Sequence, residues 1–65
     1  MNISKYLNYN TIEYISVHYS NGNTESIVNN NINKDTLTQI ENANYCFLVV
    51  NYINGKAEII KGELF

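Results

Sequence analysis

Tyr45-Cys46-Phe47-Leu48-Val49-Val50 is the longest uninterrupted apolar run in the chain. It continues through Asn51-Tyr52-Ile53 into Asn54-Gly55 and returns as Lys56-Ala57-Glu58-Ile59-Ile60. Aromatic and β-branched residues on both sides of an Asn-Gly pair read as a β-hairpin. With Asn54 and Gly55 as the two central residues of a type I′ turn, Ile53 lies opposite Lys56, Tyr52 opposite Ala57, Val50 opposite Ile59 and Val49 opposite Ile60. Side chains alternate across a strand. One face then carries Cys46, Leu48, Val50, Tyr52, Ala57 and Ile59, and the other carries Tyr45, Phe47, Val49 and Ile60, with Leu64 beyond them. A half-exposed antiparallel strand alternates apolar with polar residues. This one does not, so both faces require cover. A single short helix covers one; the other requires the N-terminal segment or a second protein molecule.

Upstream, Ile12 to Tyr19 reads as a strand, Ser20-Asn21-Gly22-Asn23 as a turn and Thr24 to Val28 as its returning partner. A two-residue Asn21-Gly22 turn sets Tyr19 against Thr24, Val17 against Ser26 and Ile15 against Val28 as the core face. It leaves His18 with Glu25 and Ser16 with Ile27 on a more polar face. A longer loop would shift that register. Asn29-Asn30-Asn31 ends the strand, because asparagine favours turns and caps over ladders.

A helix is predicted over 34–42. Asn33 supplies the N-cap, Asp35 lies at the positive end, and Ile32 and Leu37 match a hydrophobic staple. Leu37, Ile40 and Ala43 form its apolar stripe, and Asn42 or Asn44 ends it with positive φ. So short a helix does not persist alone and must dock on the sheet. The fold class is therefore α+β, a small antiparallel sheet of two Asn-Gly hairpins joined by one helix in the order β-β-α-β-β. The expected strand order is 2-1-3-4, with the Tyr45 strand central. Residues 1–11 are read as an arm or short helix over the sheet, and Gly62 as the site of a bulge in the tail.

The chain has 65 residues and no proline, which fits one domain over 1–65. A domain of this size buries only about 60% of its unfolded surface. The single Cys46 excludes an internal disulfide, and one histidine with one cysteine cannot complete a four-ligand zinc site. No metal or other cofactor is expected. Association, with itself as a homodimer or with another protein, is the remaining common way to steady so small a scaffold. The formal net charge is −2, and the cations are four lysines, Lys5, Lys34, Lys56 and Lys61, with no arginine. That argues against a phosphate-binding surface. Met1-Asn2-Ile3-Ser4-Lys5 lacks the basic and apolar segments of a secretory signal, and no stretch approaches ~20 apolar residues. A cytoplasmic protein that does not engage a membrane is expected. Abundant asparagine, isoleucine and tyrosine, all with AT-rich codons, suggest an AT-rich bacterial genome or one of its phages or mobile elements.

His18 and Cys46 are the one intrinsically reactive pair. A cysteine nucleophile needs a base and an electropositive setting, whereas Cys46 lies in an apolar run and reads as a core residue. His18 reads as solvent-facing or paired with Glu25, with no third group in view. The carboxylates Glu13, Glu25, Glu41, Glu58 and Glu63 are scattered singly. No catalytic residue is therefore assigned, and no enzyme is expected. The six tyrosines are more informative. Tyrosine offers large contact area with a polar tip and is enriched at protein interfaces. Tyr45, Phe47, Val49, Ile60, Tyr14 and Tyr19 are the expected interaction surface of a non-enzymatic interaction, regulatory or accessory protein. The alternative is a nucleic-acid-binding module that stacks bases on a tyrosine-bearing sheet. It would require the lysines to gather on that face.

Overall fold

The computed structural model describes residues 9–62. Readings that fall on 1–8, on Leu64 and on the rest of the tail beyond Gly62 lie outside the described residues. A 3-10 turn at Tyr9–Thr11, the last part of the expected arm, leads into strand β1 (Ile12–Tyr19) and then β2 (Thr24–Val28). A second 3-10 turn, Asn29–Asn31, leads into helix α1 (Lys34–Asn42), followed by β3 (Tyr45–Tyr52) and β4 (Ala57–Lys61). The four strands form one antiparallel sheet in the order β2-β1-β3-β4. Fold class, element order and strand order are those expected from the sequence.

Local chemistry accounts for the helix. The Asn33 side-chain oxygen accepts from the Thr36 backbone N–H at 3.0 Å, and the Thr36 hydroxyl accepts from the Asn33 backbone N–H at 3.0 Å. This is a reciprocal capping box with threonine in the place where glutamate or glutamine is usual. The Thr36 hydroxyl also donates to the Asn31 carbonyl at 2.9 Å, tying the cap to the preceding turn. Beyond the helix, Asn44 takes φ 55 and turns the chain into β3. Ile32, Leu37 and Ile40 are buried on the sheet side of the helix.

The hairpins are where expectation and structure part. Each is a three-residue loop rather than a two-residue one. In the first, the Gly22 N–H donates to the Tyr19 carbonyl at 3.1 Å and the Tyr19 N–H to the Asn23 carbonyl at 2.9 Å. In the second, Gly55 donates to Tyr52 at 3.0 Å and Tyr52 to Lys56 at 2.8 Å. Gly22 and Gly55 sit at φ 90 and 88, while Asn21 and Asn54 keep negative φ. A type I′ turn requires positive φ at both central residues; a type I turn closed by a glycine bulge requires it only at glycine. The asparagine side chains reinforce the second form: Asn21 Oδ1 accepts from the Asn23 N–H and Asn54 Oδ1 from the Lys56 N–H, each at 3.0 Å.

One extra loop residue moves every pair by one place. Ile15 lies opposite Ile27, not Val28, and Val17 opposite Glu25, not Ser26. Leu48 lies opposite Ile60, and Val49 opposite Ile59. The expected faces of β4 are thereby exchanged: Ile60 joins Leu48 and Val50, and Ile59 joins Phe47 and Val49.

Two bulges between β1 and β3 complete the core. On β1, Glu13 is the extra residue between the pairs Ile12–Tyr52 and Tyr14–Asn51, so Ile12 and Ile15 point to the same face. On β3, Cys46 is the extra residue between His18–Phe47 and Tyr19–Tyr45, so Tyr45 and Leu48 also share that face. Cys46 is consequently half-buried at the bulge rather than a member of the core. The Gly62 N–H donates to the Cys46 carbonyl at 2.8 Å. A Cβ at Gly62 would run into the Tyr45 carbonyl oxygen, which is why glycine follows β4 here. The result is one continuous core of Ile12, Ile15, Val17, Ile27, Ile32, Leu37, Ile40, Tyr45, Leu48, Val50 and Ile60, all between the sheet and α1.

Candidate interaction surface

The register assigns the opposite face of the sheet residue by residue. Three ranks run across the strands in the order β2, β1, β3, β4. They are Val28-Tyr14-Asn51-Ala57, Ser26-Ser16-Val49-Ile59 and Thr24-His18-Phe47-Lys61. Ile59 is 65% exposed, Val28 54% and Tyr14 38%, while Phe47 and Val49 are half-buried. Lys61 is the one formal charge in the three ranks, and it stands at a corner. The apolar side chains form a band from Val28 and Tyr14 through Val49 and Ile59 to Phe47.

His18 belongs to this face. Its ring stacks on Phe47 with centroids 4.3 Å apart and planes 10° from parallel, and Ser16 Oγ lies 3.3 Å from its Nε2. The expected pairing with Glu25 is replaced by Thr24 on one side and Phe47 on the other, because the register is shifted. The His18 ring therefore lies flat on Phe47 on this face, and Cys46 occupies the separate bulge position described above.

Of the six residues expected at an interaction surface, the structure brings Tyr14, Phe47 and Val49 together on the open face. Tyr45 and Ile60 lie in the core, 7% and 5% exposed. The bulge at Cys46 turns Tyr45 inward, and the longer loop turns Ile60 inward. Tyr19 packs against the core from the helix side. Ile59, Val28 and His18 take their places on the open face. The signal for them lay in the Asn-Gly loops, which fit a three-residue turn as well as a two-residue one.

The helix side carries a different feature. An open cleft of about 540 Å³ lies between β2 and α1, with Tyr19, Glu25, Thr36 and Gln39 among its walls. Burial raises the Tyr19 hydroxyl above its ordinary pKa, and the Glu25 charge and hydrogen bond push it the same way. At the far end of that side, the Tyr52 hydroxyl donates to Glu58 Oε1 at 2.7 Å. Among the described residues, no group of three His, Cys, Asp or Glu side chains is placed to hold a metal ion. No helix among them is long and apolar enough to cross a membrane.

No protein-family model, curated protein or solved structure matches this chain.

Proposed function

We propose that this chain is a non-enzymatic protein-interaction module, of a regulatory or accessory kind, that engages its partner through the open face of the sheet. The observation that supports this reading is the apolar band on the face turned away from α1, where Val28, Tyr14 and Ile59 are exposed and Val49 and Phe47 are half-buried. Contiguous exposed apolar surface on a small domain marks a contact site more often than scattered single residues do. The band also has the composition of an interface centre, aromatic and aliphatic with charge held to the margin.

The lysines weigh against nucleic acid as the partner. Lys61 stands at a corner of the face, Lys56 follows a hairpin loop and Lys34 begins α1. A backbone-tracking groove gathers its cations along one path. No retardation of single- or double-stranded nucleic acid is expected in a low-salt gel shift at micromolar protein.

Site-specific photo-crosslinking in the native host tests the interaction reading. A photoreactive residue at position 59 is expected to yield a protein adduct, and the same residue at the exposed helix position 38 is expected to yield none. Adducts from 38 with none from 59 would move the contact to the other side of the molecule and overturn the proposal.

A further inference from the structure

We infer that the chain contains two copies of one hairpin unit set 33 residues apart, and that the seam between β1 and β3 is a two-fold, self-recognising interface between them. This interface lies inside the sheet and is independent of what the open face engages.

Moving 33 residues along the chain carries β1 onto β3 and β2 onto β4, bounds included. It also carries every pair of the first hairpin onto a pair of the second. Ile15–Ile27 becomes Leu48–Ile60, and Ser16–Ser26 becomes Val49–Ile59. In the seam, the same step turns Ile15–Val50 into Leu48–Val17 and Ile12–Tyr52 into Tyr45–Tyr19. Ser16–Val49 turns into itself, so a two-fold axis runs through that pair, perpendicular to the sheet. In a two-fold interface residue i of one copy meets j of the other, and j of the first meets i of the second. The seam has that form.

The likeness extends to features that strand pairing does not require. Each strand of the seam carries one bulge, and the extra residues, Glu13 and Cys46, occupy equivalent positions. Each bulge turns the residue before it, Ile12 or Tyr45, into the core. Both loops close with the same two backbone bonds, hold glycine at φ 90 and 88, and are braced by the asparagine before it. Across each loop a tyrosine meets a glutamate, Tyr19 with Glu25 and Tyr52 with Glu58. Shared Asn-Gly chemistry accounts for the loops. It does not place bulges at the far ends of the strands.

In sequence the units match as Tyr-x-Asn-Gly-x-x-Glu, with Val17 and Val50 before it and Ile27 and Ile60 after it. These matches lie in the loops or on the helix side of the sheet. On the open face the equivalents differ: Ser16 stands for Val49, Ser26 for Ile59 and His18 for Asn51. The halves agree where the core and the loops constrain them and diverge elsewhere. An isolated two-stranded hairpin is marginal in water, so each unit needs the other to complete a sheet.

Transplanting hairpins within the full chain tests this. In one variant residues 45–61 take the sequence of residues 12–28; in the other, 12–28 take that of 45–61. Either way β1 and β3 become identical, and the seam joins a hairpin to its own copy. A single cooperative urea transition is expected at a lowered midpoint, with NMR contacts in the register above. One transplant that folds in that register suffices. Failure of both to fold, or folding in another register, would overturn the inference. The wild type supplies a check that no variant can confound. Contacts of Ile12 with Tyr52 and of Tyr45 with Tyr19 are expected together in its NMR spectra, and one without the other would remove the two-fold and the inference with it.

Discussion

Ile59 and Ile60 are neighbours in sequence and identical in chemistry, yet one is 65% exposed and the other 5%. They represent the two faces of the sheet. On the Ile60 face, α1 brings Leu37 and Ile40 against Ile15, Val17, Leu48 and Val50, and the surface is closed. On the Ile59 face, apolar residues remain open beside serine, threonine and asparagine. Nothing in the two isoleucines decides which is which. The decision is made four to six residues away, where the Gly55 backbone adopts positive φ and Asn54 does not. Orientation in a small sheet is thus a property of the loop, transmitted along the ladder by hydrogen-bond register.

The sharpest way to break that comparison is to truncate one residue on each face. Leu48→Ala empties a fully buried site and is expected to lose about 2–5 kcal/mol. A domain of this size has roughly 3–10 kcal/mol in total, so the variant is expected to be largely unfolded or close to it. Ile59→Ala is expected to change stability by no more than about 0.5 kcal/mol. Urea denaturation of both proteins checks the contrast; equal losses would mean the open face is not open.

Gly62→Ala comes next. It forces backbone to move at the Cys46 bulge, which turns Tyr45 into the core, and is expected to destabilise by about 1–3 kcal/mol. The same measurement reads it, and an unchanged midpoint would remove the bulge from the account. Asn33→Ala removes the helix cap and is expected to cost about 1 kcal/mol. Because α1 closes one face only, hydrogen exchange should quicken in α1 and at Leu48 and Val50 before it changes at Ile59.

The smallest effect concerns Tyr19. Its raised pKa means that the folded chain holds the phenol proton more tightly than the unfolded chain does. Its contribution to stability is complete below the ordinary tyrosine range and is lost as pH climbs through the raised value. Glu25→Gln removes the neighbouring charge but not the burial, so the Tyr19 titration, followed by ultraviolet absorbance, is expected to move down only part of the way.

Much of this architecture was legible in the residues. Asn33 before an apolar stripe, Ile32 and Leu37 about it, and Asn44 at its end mark α1 because each fills a need of the helix backbone. The two Asn-Gly pairs mark the hairpins, and the order of elements follows. The open face was legible only in part. Asn-Gly satisfies both loop lengths, and Ile59-Ile60 offers an apolar side chain to either face, so no polar residue breaks the tie. The bulges at Glu13 and Cys46 carry no local signature; they arise because Ile12 and Tyr45 gain more from burial than the ladder loses from an unpaired residue. The asparagines that suggested codon bias also do structural work: Asn21 and Asn54 brace the loops, and the Asn29 side chain donates to the carbonyls of Tyr9 at 3.3 Å and Ile12 at 2.7 Å.

Methyl-resolved NMR of isoleucine-labelled protein, with a soluble paramagnetic agent, addresses the orientation of the sheet most directly. The Ile59 methyls are expected to broaden strongly while those of Ile60, Ile15 and Ile12 are spared. A broadened Ile60 beside a protected Ile59 would put the hairpin one residue out of the register described and exchange the two faces.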